Sequence, residues 1–173
     1  MPSPTPESDD PANTPARAWL AAALDPQISG ELELVYEHIA RAVDTRKPVC
    51  NSSGRCCNFD AWGHRLYVTG LEAAYLFTRL PQLRDKPLTT ADITTARTAG
   101  GCPFQLALLC TVHPIRPLGC RTYYCDESSQ QWQHDLTEEQ LREVRAIHNR
   151  HDLDYQYGEW RDMLEQLLGT QEP

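Results

Sequence analysis

The sequence predicts a mainly α protein: a small helical domain with two cysteine-rich loops and short β segments around a metal site. Three observations predict it. Helix-start signals followed by apolar residues at three-to-four spacing recur along the chain. All seven cysteines fall between Cys50 and Cys125, in two groups about 45 residues apart. β-tolerant stretches are short and lie next to those groups.

The elements follow in order. Residues 1–15 carry Pro2, Pro4, Pro6, Pro11 and Pro15 with almost nothing apolar, and are predicted as a disordered tail. Residues 16–170 are predicted as one domain. Thr14-Pro15 has the form of an N-cap with proline at the first helical position, opening a helix through Trp19 to Leu24. Ser29 is the expected cap of a second helix, whose stripe is Leu32, Val35, Ile39, Ala42 and Val43 and which Pro48 stops.

The first cysteine loop, Cys50 to Cys57, comes next. Arg65 to Val68 reads as a short strand. Thr69 and Glu72 form a capping box that opens a helix ending before Pro81. A short helix is expected near Thr90 to Thr98, ending at Gly100-Gly101. Phe104 to Val112 is predicted as strand or extended loop, and Pro114 and Pro117 keep the chain extended after it. Thr137 and Gln140 form a second capping box, with Leu136 and Leu141 at staple positions, for a helix on Leu141, Val144 and Ile147. The last helix is expected on Tyr157, Trp160, Leu164, Leu167 and Leu168, with Gly169 as its stop. No internal repeat is present.

Composition narrows the function. The length of 173 residues suits one domain with tails. The mean hydropathy of −0.54 is low, as expected if part of the chain is unpacked. A net charge of −8 argues against nucleic acid or an anionic membrane as the main partner. No apolar run is long enough to span a bilayer. No basic segment followed by an apolar stretch opens the chain, so a cytoplasmic protein with reduced thiols is expected. The odd number of cysteines argues against a closed disulfide framework.

The cysteines carry the chemistry. Cys50, Cys56, Cys57, Cys102, Cys110, Cys120 and Cys125 are the candidate metal ligands, since clustered thiolates hold zinc and iron–sulfur clusters. The alternative, buried packing cysteines, fits the clustering poorly. Gly54 lets the first loop turn tightly. Cys56 and Cys57 are adjacent, so their side chains diverge. Two closed zinc sites need eight donors, and His64 or His113 could complete the count. One [4Fe–4S] cluster needs four thiolates and leaves three cysteines over. Arg116 and Arg121 are the candidate cofactor-binding cations, since guanidinium groups beside thiolates lower their pKa and offset cluster charge. Surface pairing with acids is the alternative role for them.

The loop Cys50 to Cys57, with Cys102-Pro103-Phe104 and Arg116-Pro117-Leu118-Gly119-Cys120-Arg121, resembles a bacterial cysteine-cluster family described as a zinc- or iron-chelating domain. Its signature is C-x-x-C-x-x-C-C, then C-P-F, then R-P-x-x-C-R. Some members are named as iron–sulfur proteins, and a related domain occurs in a flagellin lysine methylase. The resemblance spans about Cys50 to Arg121, and it implies Cys50, Cys56, Cys102 and Cys120 most strongly as ligands. Ser53 stands where the family's loop has its second cysteine. Cys125, just beyond the shared motif, is a candidate to supply that missing thiol.

The expected function is an iron–sulfur cluster-binding protein, [4Fe–4S] favoured, with a redox role or an accessory role in a modification reaction. The alternative is a structural zinc module for protein interaction. A protein methyltransferase-like enzyme ranks third, because no cofactor fingerprint accompanies the cysteines. A protein is the expected partner.

Overall fold

The computed structural model describes residues 14–170 and is mainly helical, with short strands in two small sheets. Among those residues the helices are α1 (Pro15–Leu24), α2 (Pro26–Arg46), α3 (Gly70–Arg79), α4 (Thr90–Thr98), α5 (Leu118–Thr122), α6 (Gln130–Arg150) and α7 (Trp160–Gly169). The strands are β1 (Tyr67–Thr69), β2 (Gln105–Leu106), β3 (Leu109–Cys110) and β4 (Tyr157–Glu159). The tail expected over residues 1–15 lies outside the described residues as far as residue 13.

Two antiparallel pairs tie distant segments. β1 pairs with β4, Val68 opposite Gly158, and so joins the middle of the chain to its end. β2 pairs with β3, Gln105 opposite Cys110, in a hairpin whose turn residues Ala107 and Leu108 both take positive φ. The hairpin occupies the stretch predicted as strand or extended loop.

The core lies between α1, α3 and α7, with α2 and α6 packed outside. Trp19, Leu71, Leu76, Trp160 and Leu164 are fully buried there. The stripe read on α2 is real: Leu32, Val35 and Ile39 are buried. Trp19 donates its indole N–H to the Asp154 carbonyl at 2.8 Å, which fixes the ring flat over α3. A Cβ on Gly70 would lie 2.2 Å from that ring. Glycine at the start of α3 is therefore what lets α1 and α3 approach.

Several expected boundaries are corrected. Asp25, not Ser29, caps α2, accepting from Gln27 N at 2.7 Å and Ile28 N at 3.2 Å. Pro26 takes the first helical position, where a missing N–H costs nothing, and Ser29 sits buried inside the helix. Thr14 precedes α1 but makes no side-chain cap. The predicted strand is displaced to Tyr67–Thr69.

α6 starts at Gln130, so Thr137 and Gln140 are interior residues rather than a cap. Thr137 bonds back to the Gln133 carbonyl at 2.7 Å and sideways to Thr122 at 2.8 Å, a tertiary contact that local pattern does not reveal. Tyr157 belongs to β4, and Glu159 caps α7 by accepting from Arg161 N. The stretch around Pro114 and Pro117 is not extended throughout: residues 113–115 make a 3₁₀ turn and Pro117 leads into α5. The capping box of Thr69 and Glu72 is present as read, and a second one, Thr89 with Asp92, opens α4.

The α1–α3 contact makes a direct prediction. Gly70→Ala forces a rigid, buried indole aside and is expected to destabilise the protein by about 1–3 kcal/mol. Thermal unfolding should show Tm lower by several degrees, whereas Gly30→Ala, which meets open space on α2, should not lower it.

Candidate metal centre

Backbone hydrogen bonds bring the two cysteine regions together. Gly54 takes φ +69° and starts a 3₁₀ turn, Arg55–Cys57, that carries Cys56 and Cys57. A Cβ on Gly54 would lie 2.5 Å from the Gln105 amide nitrogen, whose N–H instead donates to the Gly54 carbonyl at 3.0 Å. Cys102 N donates to the Cys57 carbonyl at 2.9 Å, and Asp60 N donates to the Gly100 carbonyl at 2.9 Å. The β2–β3 hairpin then returns Cys110 opposite Gln105.

Cys120 arrives on α5. Its position is set by Glu72, whose carboxylate is 1 % exposed. One oxygen accepts from Thr69 N at 3.0 Å and Thr69 Oγ1 at 2.9 Å, and the other accepts from Leu118 N at 2.7 Å. The first N–H of α5 is thus held by the cap of α3. The capping box was readable from sequence, but its second oxygen, used across 46 residues of chain, was not.

Five sulfurs form one interacting group. Cys56 Sγ and Cys57 Sγ are 3.9 Å apart. The sulfurs of Cys102, Cys110 and Cys56, together with burial, hold the Cys57 thiol far above its ordinary range. Reciprocally, the Cys57 thiol lowers Cys56 to about 6 and Cys110 to about 7, with Arg116 adding to both and burial opposing both. Burial, then the charges on Cys102, Cys110 and Cys56, raise Cys120. Cys57 is thus the thiol of this group that holds its proton most strongly, between sulfurs drawn from both regions. A thiophilic cation would replace that proton, since metal ligation requires deprotonated sulfur. Among the described residues no three His, Cys, Asp or Glu side chains are arranged to chelate a single metal ion.

The remaining candidates lie apart from that group. Cys50 is exposed, with Tyr124 near it. Cys125 Sγ lies 3.6 Å from Ser53 Oγ, so Cys125 sits beside the position where the resembled loop has a cysteine. Of the histidines, His64 stacks on Tyr123 at 5.3 Å and its Nε2 lies 3.5 Å from the Cys56 carbonyl. Its Nδ1 is buried without a partner. With Cys56, Cys120 and Tyr123 it lines a cavity of about 140 Å³. His113 contacts Arg116 rather than any sulfur.

The two arginines divide. Arg116 carries its charge toward Cys56, Cys110 and Cys120. Arg121 lies over the Tyr36 ring, 3.9 Å from its centre, and donates to the carbonyls of Arg116 and Pro114 at 2.7 and 2.9 Å. Glu72, Gln105 and Tyr36 were not singled out as site residues from sequence. Each acts through long-range contacts that spacing does not encode.

No protein-family model, curated protein or solved structure matches this chain.

Glu72 supplies the test of this scaffold. Burial raises its carboxyl above the ordinary value of 4.5, against the lowering effect of the hydrogen bonds from Thr69 and Leu118. The folded state then binds more protons than the unfolded state above pH 4.5, so this group's contribution to stability falls as pH rises. Denaturant titrations of wild type and Glu72→Gln should show the wild-type advantage largest near pH 4.5 and shrinking toward neutrality. Glu72→Ala leaves two buried backbone N–H groups unpaired and should cost about 3 kcal/mol at any pH in that range.

Proposed function

We propose that the protein binds an iron–sulfur cluster, [4Fe–4S] favoured, through cysteines of both regions. Its role on this reading is electron transfer, or an accessory part in a modification reaction carried out with a protein partner. The observation that supports it most is the gathering of sulfurs from both regions: Cys56 and Cys57 sulfurs lie 3.9 Å apart, and Cys102 N donates to the Cys57 carbonyl at 2.9 Å.

The donor set fits the group. Iron–sulfur clusters are held by cysteine thiolates, and Cys56, Cys57, Cys102, Cys110 and Cys120 offer five for four positions. The five sulfurs lie close enough to act on one another. Bound there, a cluster would supply a one-electron redox couple. The chain's own part is to hold the thiolates, to exclude water by burying Cys57 and stacking His64 on Tyr123, and to offset negative charge with Arg116. The resemblance read in the sequence points the same way.

A second reading, a structural zinc module that docks a protein partner, is favoured by one distance. The 3.9 Å between Cys56 and Cys57 sulfurs is close to the edge of a tetrahedron with about 2.3 Å zinc–sulfur bonds. A methyltransferase-like activity has no feature of the structure in its support.

Anaerobic purification with metal and acid-labile sulfide analysis separates these readings. About four irons and four sulfides per chain, with visible absorbance, are expected. Cys57→Ser and Cys102→Ser should abolish loading, and Cys125→Ser should leave most of it. Zinc without sulfide would establish the structural module instead. Protein that is free of both metals, purified under anaerobic and chelator-free conditions, would defeat both readings.

A further inference from the structure

Between α2 and the chain leading into α5 lies a cavity of about 260 Å³ that none of the cysteines lines. Its walls are Tyr36, Val43 and Asp44 from α2, and Arg116, Arg121 and Tyr124 from the other side. Two guanidinium groups thus share one small space in a chain of net charge −8. Among the described residues neither arginine pairs with a carboxylate.

Their hydrogen bonds leave donors over. Arg121 uses Nε and Nη2 on the carbonyls of Arg116 and Pro114, so its fork is fixed while Nη1 has no protein partner. The face of Tyr36, itself 5 % exposed, holds the guanidinium plane from below. Arg116 uses Nη1 on His113 and has Tyr124 beside it, while its Nε is buried and unpaired. The Tyr36 hydroxyl is also buried without a partner. Buried donors left unsatisfied in a protein are costly and call for a bound acceptor. Two cations facing each other also repel, and burial with Arg116 at hand lowers Arg121 from its usual range.

We propose that this cavity binds a small oxyanion, a phosphate or a short dicarboxylate, between Arg116 and Arg121. Planar guanidinium forks match the paired oxygens of both anions, and the rigid packing of Arg121 pre-organises one of them. The volume is below that of most sites for drug-sized ligands and suits an anion of a few heavy atoms. Asp44, exposed at the rim, is the one carboxylate that lines the cavity and opposes the ligand. Arg116 also faces the cysteine sulfurs, so the anion would sit within the field of the thiol centre. The site itself needs no metal.

Isothermal titration and thermal-shift measurements on the full chain test this, with metal content recorded, using sodium phosphate and sodium succinate against sodium chloride at equal ionic strength. Saturable one-to-one binding of phosphate or succinate is expected, with chloride giving none. Which of the two binds more tightly identifies the source of the oxyanion. Arg121→Lys keeps the charge but loses the fork, and should weaken binding about tenfold. Asp44→Asn removes the opposing charge at an exposed position and should tighten binding about threefold, a gain that misfolding cannot imitate. A response to both anions no larger than that to chloride would overturn the proposal. So would saturable binding that neither substitution changes. The cavity lining contains no cysteine, so the measurement can be made and read at any recorded metal content.

Discussion

One buried carboxylate fixes the relation between the helical scaffold and the cysteine loops. Glu72 sits at the third position of α3 and accepts from both the chain entering that helix and the first N–H of α5. Taking a carboxylate out of water is unfavourable unless its oxygens are met by donors. Here three donors meet it, and all are fixed by backbone or by the adjacent threonine. A helix of five residues has little stability of its own, because nucleation fixes several residues for one bond. α5 therefore depends on this anchor, on the Thr122–Thr137 contact with α6, and on Arg121 clasping the preceding carbonyls. Cys120 inherits its position from that set.

The other half of the site is held by main chain. The Cys102–Cys57 and Asp60–Gly100 backbone hydrogen bonds join two stretches about 40 residues apart, and the Gln105 side-chain amide on the Gly54 carbonyl adds to them. Closing such a loop costs conformational entropy, and here packing of Phe59, Phe104 and Trp160 offsets it. The sulfurs are consequently gathered by the fold itself. Gathering thiols in a partly buried space raises the cost of ionising all of them together, which is the direction in which Cys57 is shifted.

Much of the fold was legible because it rests on local rules. Thr69 and Glu72 announced α3, the apolar stripe announced α2, and the Thr90 to Thr98 helix was placed correctly. Errors arose where one local signal masked a stronger one beside it. Ser29 is a good cap, but Asp25 before Pro26 is better. Thr137 with Gln140 has the spacing of a capping box, but its hydroxyl is engaged by Thr122 from another helix. Tyr157 fits a helical stripe, yet the pairing of Thr69 with it draws the chain into β4. At the site, the list of cysteines could be read from spacing, whereas their division could not. Cys56 and Cys57 flank one turn and interact with Cys102 and Cys110, while Cys50 and Cys125, equally good by spacing, lie beside Tyr124 and Ser53.

The arginines show why position in a motif underdetermines role. Arg116 and Arg121 both flank Cys120 in sequence, and both were expected to face sulfur. On a short helix begun by Pro117, however, residues one apart point in different directions. Cys120 turns toward the other thiols, and Arg121 turns back onto Tyr36 of α2. Arg116, outside the helix and on extended backbone, reaches the space between the two. The same six residues therefore give one side of the chain to soft thiolates and the other to hard cationic donors. Arg116 belongs to both. Arg121 is also coupled to Cys120, so both guanidinium groups link the charge of the thiol side to that of the cavity side.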